Sequence, residues 1–175
     1  DASGLALFKD DEILIFKSRS RGQKLLKSPL VSEEFTRISR KHYSTQSTML
    51  IGHTRMITHG DVSLDDNNQP CVSCERFIVF HNGIIVNWRD ISKQFDKSDI
   101  EGLSDTQMFC KLLEKHMKFG MSPIESLKNS LNQVEGANNF VVIDKVEGII
   151  YLFSSNGSLF VGHSSKTGHF LFGSE

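Results

Sequence analysis

Ile51-Gly-His-Thr-Arg-Met-Ile-Thr-His-Gly60 is the stretch on which the reading of this chain turns. It opens as a strand, fed by Met49, Leu50 and Ile51, then turns polar at once, with Arg55, Thr58 and His59 ahead of a glycine. A strand end that breaks into a polar turn is where small α/β domains carry binding groups, because the sheet holds the loop residues in place. Two later stretches answer it. Phe77 to Gly83 is an apolar strand that breaks into His81-Asn82-Gly83, and Ser104-Asp105-Thr106 starts a helical pattern. Together the three read as a pocket for a small zwitterion.

Outward from that stretch, period-two alternation of Leu5, Leu7, Ile13 and Ile15 across Lys9-Asp10-Asp11 predicts a hairpin, Ser3–Lys9 with Glu12–Lys17. Ser18–Pro29 is basic and turn-rich. Ser32 is a candidate cap for a helix whose first turn holds Glu33 and Glu34, with Phe35, Ile38 and His42 on one face. Ser47–Thr54 is a strand and Asp61–Pro70 a polar loop. Glu75–His81 is a buried strand, and Asn87 suits the cap of a helix carrying Trp88, Ile91 and Phe95. The clearest helix is Asp105–Lys118, capped by Ser104 with Gln107 three residues on, its stripe formed by Met108, Phe109, Leu112, Leu113 and Met117. Ser122-Pro123-Ile124-Glu125 opens a second, with Ile124, Leu127, Leu131 and Val134 as its buried face and Gly136 at its end. Strands follow at Asn139–Asp144, Gly148–Ser154, Leu159–Gly162 and His169–Gly173. Strands, then helices, then strands predict an α+β layered domain. Their near-continuous apolar runs predict two sheets buried on both faces with helices outside.

The 175 residues fit one domain, and 20 basic against 21 acidic side chains leave a formal net charge of -1. That balance points away from a nucleic-acid or membrane partner recruited by bulk charge. No apolar run reaches the length of a membrane span and no signal peptide opens the chain. Three cysteines, Cys71, Cys74 and Cys110, are too few and too odd in number for a disulfide framework, so a cytoplasmic setting is expected. Asp1 enters a strand directly, and the chain stops at Ser174-Glu175 after an apolar strand. Both ends read as cuts in a longer polypeptide.

Arg55 offers a planar fork suited to a carboxylate, against the plainer reading of a surface ion pair with an acid such as Asp61. Asp105 complements it: Ser104 already fills the cap, so the Asp105 carboxylate is free to receive an ammonium rather than serve the helix dipole alone. Asn82-Gly83 could set a side-chain amide and a backbone N–H on one oxyanion. On the pair alone, a type I′ hairpin turn is the stronger expectation. His53, His59, His81 and Cys71-Val72-Ser73-Cys74 lack regular metal-ligand spacing and read as turn and core groups, so no metal and no cofactor are expected.

Taken together these stretches resemble the glutaminase domain of class II glutamine amidotransferases, a branch of the N-terminal-nucleophile hydrolases. They are most similar to that of the glucosamine-6-phosphate synthases. The likeness rests on five ordered matches: Asp1-Ala-Ser-Gly-Leu-Ala6, Ile51 to Gly60, Phe80-His-Asn-Gly-Ile-Ile-Val-Asn87, Ser104-Asp-Thr106 and Glu135-Gly-Ala137. It implies a four-layer αββα sandwich of two mainly antiparallel sheets. It also implies hydrolysis of L-glutamine to glutamate and ammonia for an associated synthase or isomerase domain or subunit, with amino-sugar synthesis as the setting. In that scheme Arg55 binds the α-carboxylate, Asp105 the α-amino group, Thr58 and His59 line the pocket, and Asn82 with Gly83 forms the oxyanion hole. The family's nucleophile is an N-terminal cysteine whose own amine is the base. That cysteine lies upstream of the strand Asp1 begins, so residues 1–175 are expected to be the domain without its nucleophile segment and last strands. Met56 stands where those synthases have tryptophan. The alternative is a degenerate domain that binds glutamine or a protein partner without catalysis. A homo-oligomer is left open.

Overall fold

In the computed structural model the described residues are 2–9, 12–39, 48–55 and 67–174. They divide into two units, Asp1–Pro70 and Cys71–Glu175.

The first unit is built on β1 (Ala2–Lys9), whose run Ala-Ser-Gly-Leu-Ala-Leu is buried throughout. β2 (Glu12–Ser18) pairs with it antiparallel, Leu14 opposite Leu7, which bears out the predicted hairpin. Two helices follow, α1 (Gly22–Leu26) inside the segment expected to be turns, and α2 (Pro29–Ser39). Leu25 and Val31 from these helices close over Leu5 and Phe16 to make the core of the unit. α2 does not start at Ser32. Pro29, with its φ already helical and no N–H to satisfy, takes the first position, and the Ser28 hydroxyl accepts the Val31 N–H at 3.4 Å. Glu34 therefore sits beyond the first turn, where it accepts from Arg37, which also pairs with Glu12. β3 (Thr48–Arg55) pairs on the other edge of β1, giving the order β2-β1-β3. His42, Ser47 and Asp61 lie outside the described residues.

The second unit holds a four-stranded antiparallel sheet, β4-β5-β6-β7 once numbered along the chain. β4 (Cys71–Ser73) turns through Cys74 and Glu75, both at positive φ (54° and 50°), into β5 (Phe77–Gly83). The short helices α3 (Trp88–Ser92) and α4 (Lys97–Ile100) lead to α5 (Asp105–Lys118) and α6 (Pro123–Gln133), then β6 (Asn138–Asp144) and β7 (Ile149–Ser154). Met108, Phe109, Leu112 and Leu113 of α5 are fully buried against Phe77, Val79, Phe140 and Val142 of the sheet, the stripe its spacing predicts. Each such side chain contributes roughly 1.5–3 kcal/mol. Ile78 and Phe80, on the other face of β5, are also buried, so the central strands are covered on both sides as expected. β7 is only half-buried. A third sheet was not expected: β8 (Leu159–His163) and β9 (Phe170–Ser174) pair with each other as a separate, largely exposed ribbon.

Both long helices begin where their caps say. Ser104 accepts the Gln107 N–H, and Ser122 with Glu125 forms a complete capping box. The buried face of α6 is smaller than the pattern predicts. Ile124 is exposed, and Ser126, Leu127 and Ser130 turn inward. Small residues there admit a polar chain that runs from the surface to a buried end at His116 and Ser130. Lys115 Nζ donates to Gln94, Gln94 to Gln133, and Gln133 to His116 Nε2. The His116 Nδ1–H then donates to Ser130 at 3.0 Å, because the Ser130 hydroxyl proton is committed to the Ser126 carbonyl. Asn87 precedes α3 as predicted but caps nothing with its side chain, which instead bridges the Gln133 carbonyl and the Glu135 N–H ahead of β6.

Candidate functional site

Asn82-Gly83 is not a hairpin turn. β5 stays paired with β6 through both residues, Asn82 opposite Asn139 and Gly83 opposite Asn138. Beyond them Ile84 N–H and Val86 N–H still donate to Ala137 and Glu135 carbonyls. The local turn preference yields to a long-range ladder of main-chain bonds. The two chains approach so closely that a Cβ on Gly83 (φ 152°) would lie 2.1 Å from the Ala137 carbonyl oxygen. One on Gly136 would lie 2.2 Å from that of Ile84. No residue but glycine fits either place.

The strand end is tied to the start of α5. Asp105, buried at 6% exposure, accepts the Ile85 N–H on Oδ2 at 3.1 Å and the Thr106 N–H on Oδ1 at 2.9 Å. Its charge lies at the positive end of a 14-residue helix. The carboxylate is therefore already committed to two main-chain donors, unlike the free group the sequence suggested, although a carboxylate has about four acceptor positions. Asn82 and Gly83 are thus brought beside Asp105, through the main chain two residues on. Asn82 Nδ2 donates to Ser174 Oγ at 2.9 Å.

Behind Gly83 lies His81, buried and stacked on Phe140 with centroids 4.3 Å apart. Its Nε2–H donates to Asn138 Oδ1 at 2.9 Å, and its Nδ1 accepts from the Thr106 hydroxyl at 3.0 Å. Burial pushes the imidazole pKa below the ordinary histidine value, against the pull of Asp105 and Asn138, so the ring is held neutral.

Arg55 ends β3 in the first unit. It is buried, and its Nη1 donates to the Asn67 carbonyl at 3.0 Å and reaches Asn68 Oδ1 at 3.5 Å. Thr58 and His59 lie outside the described residues. The three cysteines are free thiols. Cys71 and Cys110 are buried, and the Cys71 thiol together with burial pushes the Cys110 thiol well above its ordinary range. Burial raises Cys74 as well. Protonated thiols are poor nucleophiles, so neither Cys74 nor Cys110 suits attack near neutral pH. Among the described residues no group of three His, Cys, Asp or Glu side chains is placed to hold a metal, and no helix is long and apolar enough to cross a membrane.

A family model for the glutamine amidotransferase domain matches residues 53–175. The chain belongs to that family. The amidotransferase domain is 30% identical over 165 residues to the isomerizing glutamine–fructose-6-phosphate aminotransferase of Bartonella henselae, covering 90% of this chain and 24% of that protein. The enzyme of the same name from Lactococcus lactis is 34% identical over 116 residues, 64% of this chain and 19% of the relative. The domain thus spans about a fifth to a quarter of the length of these curated relatives. Among solved structures it is similar to the allosteric regulatory enzyme of purine biosynthesis, with a TM-score of 0.64 at 19% identity over 93% of this chain and 33% of that one. It is also similar to the glutamine phosphoribosylpyrophosphate amidotransferase of B. subtilis, with a TM-score of 0.58 at 20% identity, covering 94% of this chain and 34% of that one. These likenesses bear out the α+β fold of the N-terminal-nucleophile hydrolase type.

Two partners of this site in the amidotransferase domain lie outside the motifs quoted from its sequence. Asn138 and Asn139 are buried at 1% and 5%, and Asn139 is held by Ser154 and Ser158. The signal was there: two adjacent amides open an otherwise apolar strand, Phe140-Val-Val-Ile143, directly after Gly136-Ala137. Polar side chains in such a run must find partners when buried.

Proposed function

We propose that this domain binds L-glutamine by its head group, α-carboxylate on Arg55 and α-ammonium on Asp105, and hydrolyses the side-chain amide to glutamate and ammonia. The ammonia passes to a synthase or isomerase domain or subunit, for amino-sugar synthesis; the Bartonella relative is named as an isomerizing glutamine–fructose-6-phosphate aminotransferase. Residues 1–175 act as one glutamine amidotransferase domain of the second class. Its nucleophile is an N-terminal cysteine upstream of Asp1, whose α-amine, with a pKa of roughly 7.7–8.0, takes the thiol proton. The thiolate adds to the amide carbon, and the tetrahedral oxyanion is held by the Asn82 amide and the Gly83 N–H. The cysteine α-ammonium returns its proton to the leaving nitrogen, ammonia departs as the oxyanion collapses to a thioester, and water releases glutamate and restores the thiol. Thr58 and His59 line the pocket.

The observation that carries this reading is the bond from Ile85 N–H to Asp105, which keeps an anionic anchor next to the Asn82-Gly83 strand end. The test is ammonia release from glutamine by the full-length protein and its Asp105→Asn variant. The wild type should turn over, and the variant should bind glutamine more weakly by about 2–5 kcal/mol, since an ammonium loses its countercharge. Binding of glutamine without ammonia release would instead make this a non-catalytic binder. An unchanged KM in the variant would remove Asp105 from the head-group site.

A further inference from the structure

Glutamine has a fixed length, so its ammonium anchor and its oxyanion donors must stay a constant distance apart. In this unit they come from different elements, Asp105 from the first turn of α5 and Asn82-Gly83 from the end of β5. Misplacement of reacting groups by about 1 Å can cost on the order of 10² in rate. Something has to hold strand end and helix start in register.

The ring of His81 is built into that junction. It precedes Asn82 in the chain. Its Nε2 lies 3.0 Å from where a Gly83 Cβ would be, so the imidazole edge packs on the glycine itself. Its Nδ1 reaches Thr106, the residue after Asp105, and its Nε2 reaches Asn138, which pairs with Gly83 across the sheet. Phe140 stacks beneath it with only 12° between the planes, which holds the plane of the ring. One side chain thus touches three elements, at the neighbour of a candidate site residue each time. Burial alone would demand partners for both nitrogens; what sets His81 apart is that those partners are Thr106, next to Asp105, and Asn138, opposite Gly83.

We infer that His81 is a positioning residue for glutamine hydrolysis: bonded to Thr106 on α5 and Asn138 on β6, it fixes the oxyanion strand end against the anchor carboxylate. This rests on the glutamine reading above. Asp105 itself remains held by the Ile85 and Thr106 N–H groups when His81 is replaced, so binding of the head group is largely retained. The geometry at the amide end is what loosens.

The experiment is steady-state glutaminase kinetics on the full-length protein, per folded molecule, with thermal unfolding measured alongside. His81→Phe keeps the stack on Phe140 and removes both hydrogen bonds. Its kcat should fall roughly 10- to 100-fold with KM changed by less than about threefold. Thr106→Val, nearly isosteric, should lower kcat in the same direction, and Thr106→Ser, which keeps the hydroxyl, should recover most of that loss. The Thr106 pair decides the matter if His81→Phe does not fold. A purely structural role would lower the melting temperature while leaving kcat per folded molecule at the wild-type value, and that result overturns the inference. A rise in KM at unchanged kcat overturns it too. If the wild type does not hydrolyse glutamine, the glutamine reading has failed and this inference falls with it. Turnover by the wild type with both variants at its kcat defeats the inference alone.

Discussion

His81 and His116 occupy near-identical settings and do opposite things. Each is buried, each bonds a hydroxyl through Nδ1 at 3.0 Å, and each bonds a side-chain amide through Nε2, at 2.9 and 3.0 Å. Burial lowers the pKa of both. The protons are reversed, however. His81 carries its hydrogen on Nε2, because Asn138 presents an oxygen. His116 carries it on Nδ1, because Gln133, whose oxygen is taken by Gln94, presents its NH₂. One ring joins the strand end to the helix start at the candidate site, and the other joins two helices away from it. A neutral imidazole takes either form, so the role of a buried histidine is set by what its partners carry.

The largest effect that tests this contrast comes from two amides, Asn82, which follows His81 in the chain, and Gln133, which bonds the His116 ring. Asn82→Ala next to His81 should lower kcat on the order of 10²–10³ with little change in KM, the loss expected for an oxyanion donor. Gln133→Ala next to His116 should leave turnover per folded molecule intact. It should destabilise the protein by about 1–3 kcal/mol, the cost of a buried ring nitrogen left without a donor. Equal effects on turnover, read in one kinetic assay, would break the comparison.

Acidification gives a smaller signal. Both histidines have folded-state pKa values below the ordinary value of about 6.5, so above that pH they contribute no pH dependence. As pH falls below about 6.5 the unfolded chain binds protons that the folded one refuses. Stability is then lost, by up to about 1.4 kcal/mol per pH unit for each group, until the folded-state pKa is reached. Denaturant unfolding at pH 7.5 and pH 5.5 checks it: His116→Gln should flatten the acid slope and leave the His81 share in place. An unaltered slope would mean His116 does not resist protonation in the fold. Smallest of all, Ser122→Ala should cost about 1 kcal/mol by opening the capping box of α6, the helix that carries the His116 partners, with no change in kcat.

The parts legible in the sequence were those written locally. Ser122-Pro123 with Glu125, and Ser104 ahead of Asp105, fix two helix starts from neighbours alone, and the hairpin of β1 and β2 follows from alternation. α2 starts four residues before the expected place because two local signals compete, and Ser28-Pro29 outweighs Ser32-Glu33-Glu34. Asn82-Gly83 shows the other kind of failure. Its turn chemistry is real, but pairing with Asn138 and Asn139 more than fifty residues away overrides it. Asp105 was found by its place in the first turn. Its bond to Ile85, and the whole His81 junction, depend on which strand meets which helix, which no short window contains. The turn at Cys74 and Glu75 was unreadable for a further reason: neither residue favours positive φ, so only the pairing of β4 with β5 imposes it.

The two glycines at the close approach each face the opposite chain's backbone, Gly83 the Ala137 carbonyl and Gly136 the Ile84 carbonyl, with no room for a methyl group at either place. A saturation library selected on growth would therefore return Gly136 among the least tolerant positions, level with residues that contact the ligand. Intolerance there would reflect the spacing of two chains, and ranking positions by phenotype alone would mistake a gap of one carbon atom for a reactive group.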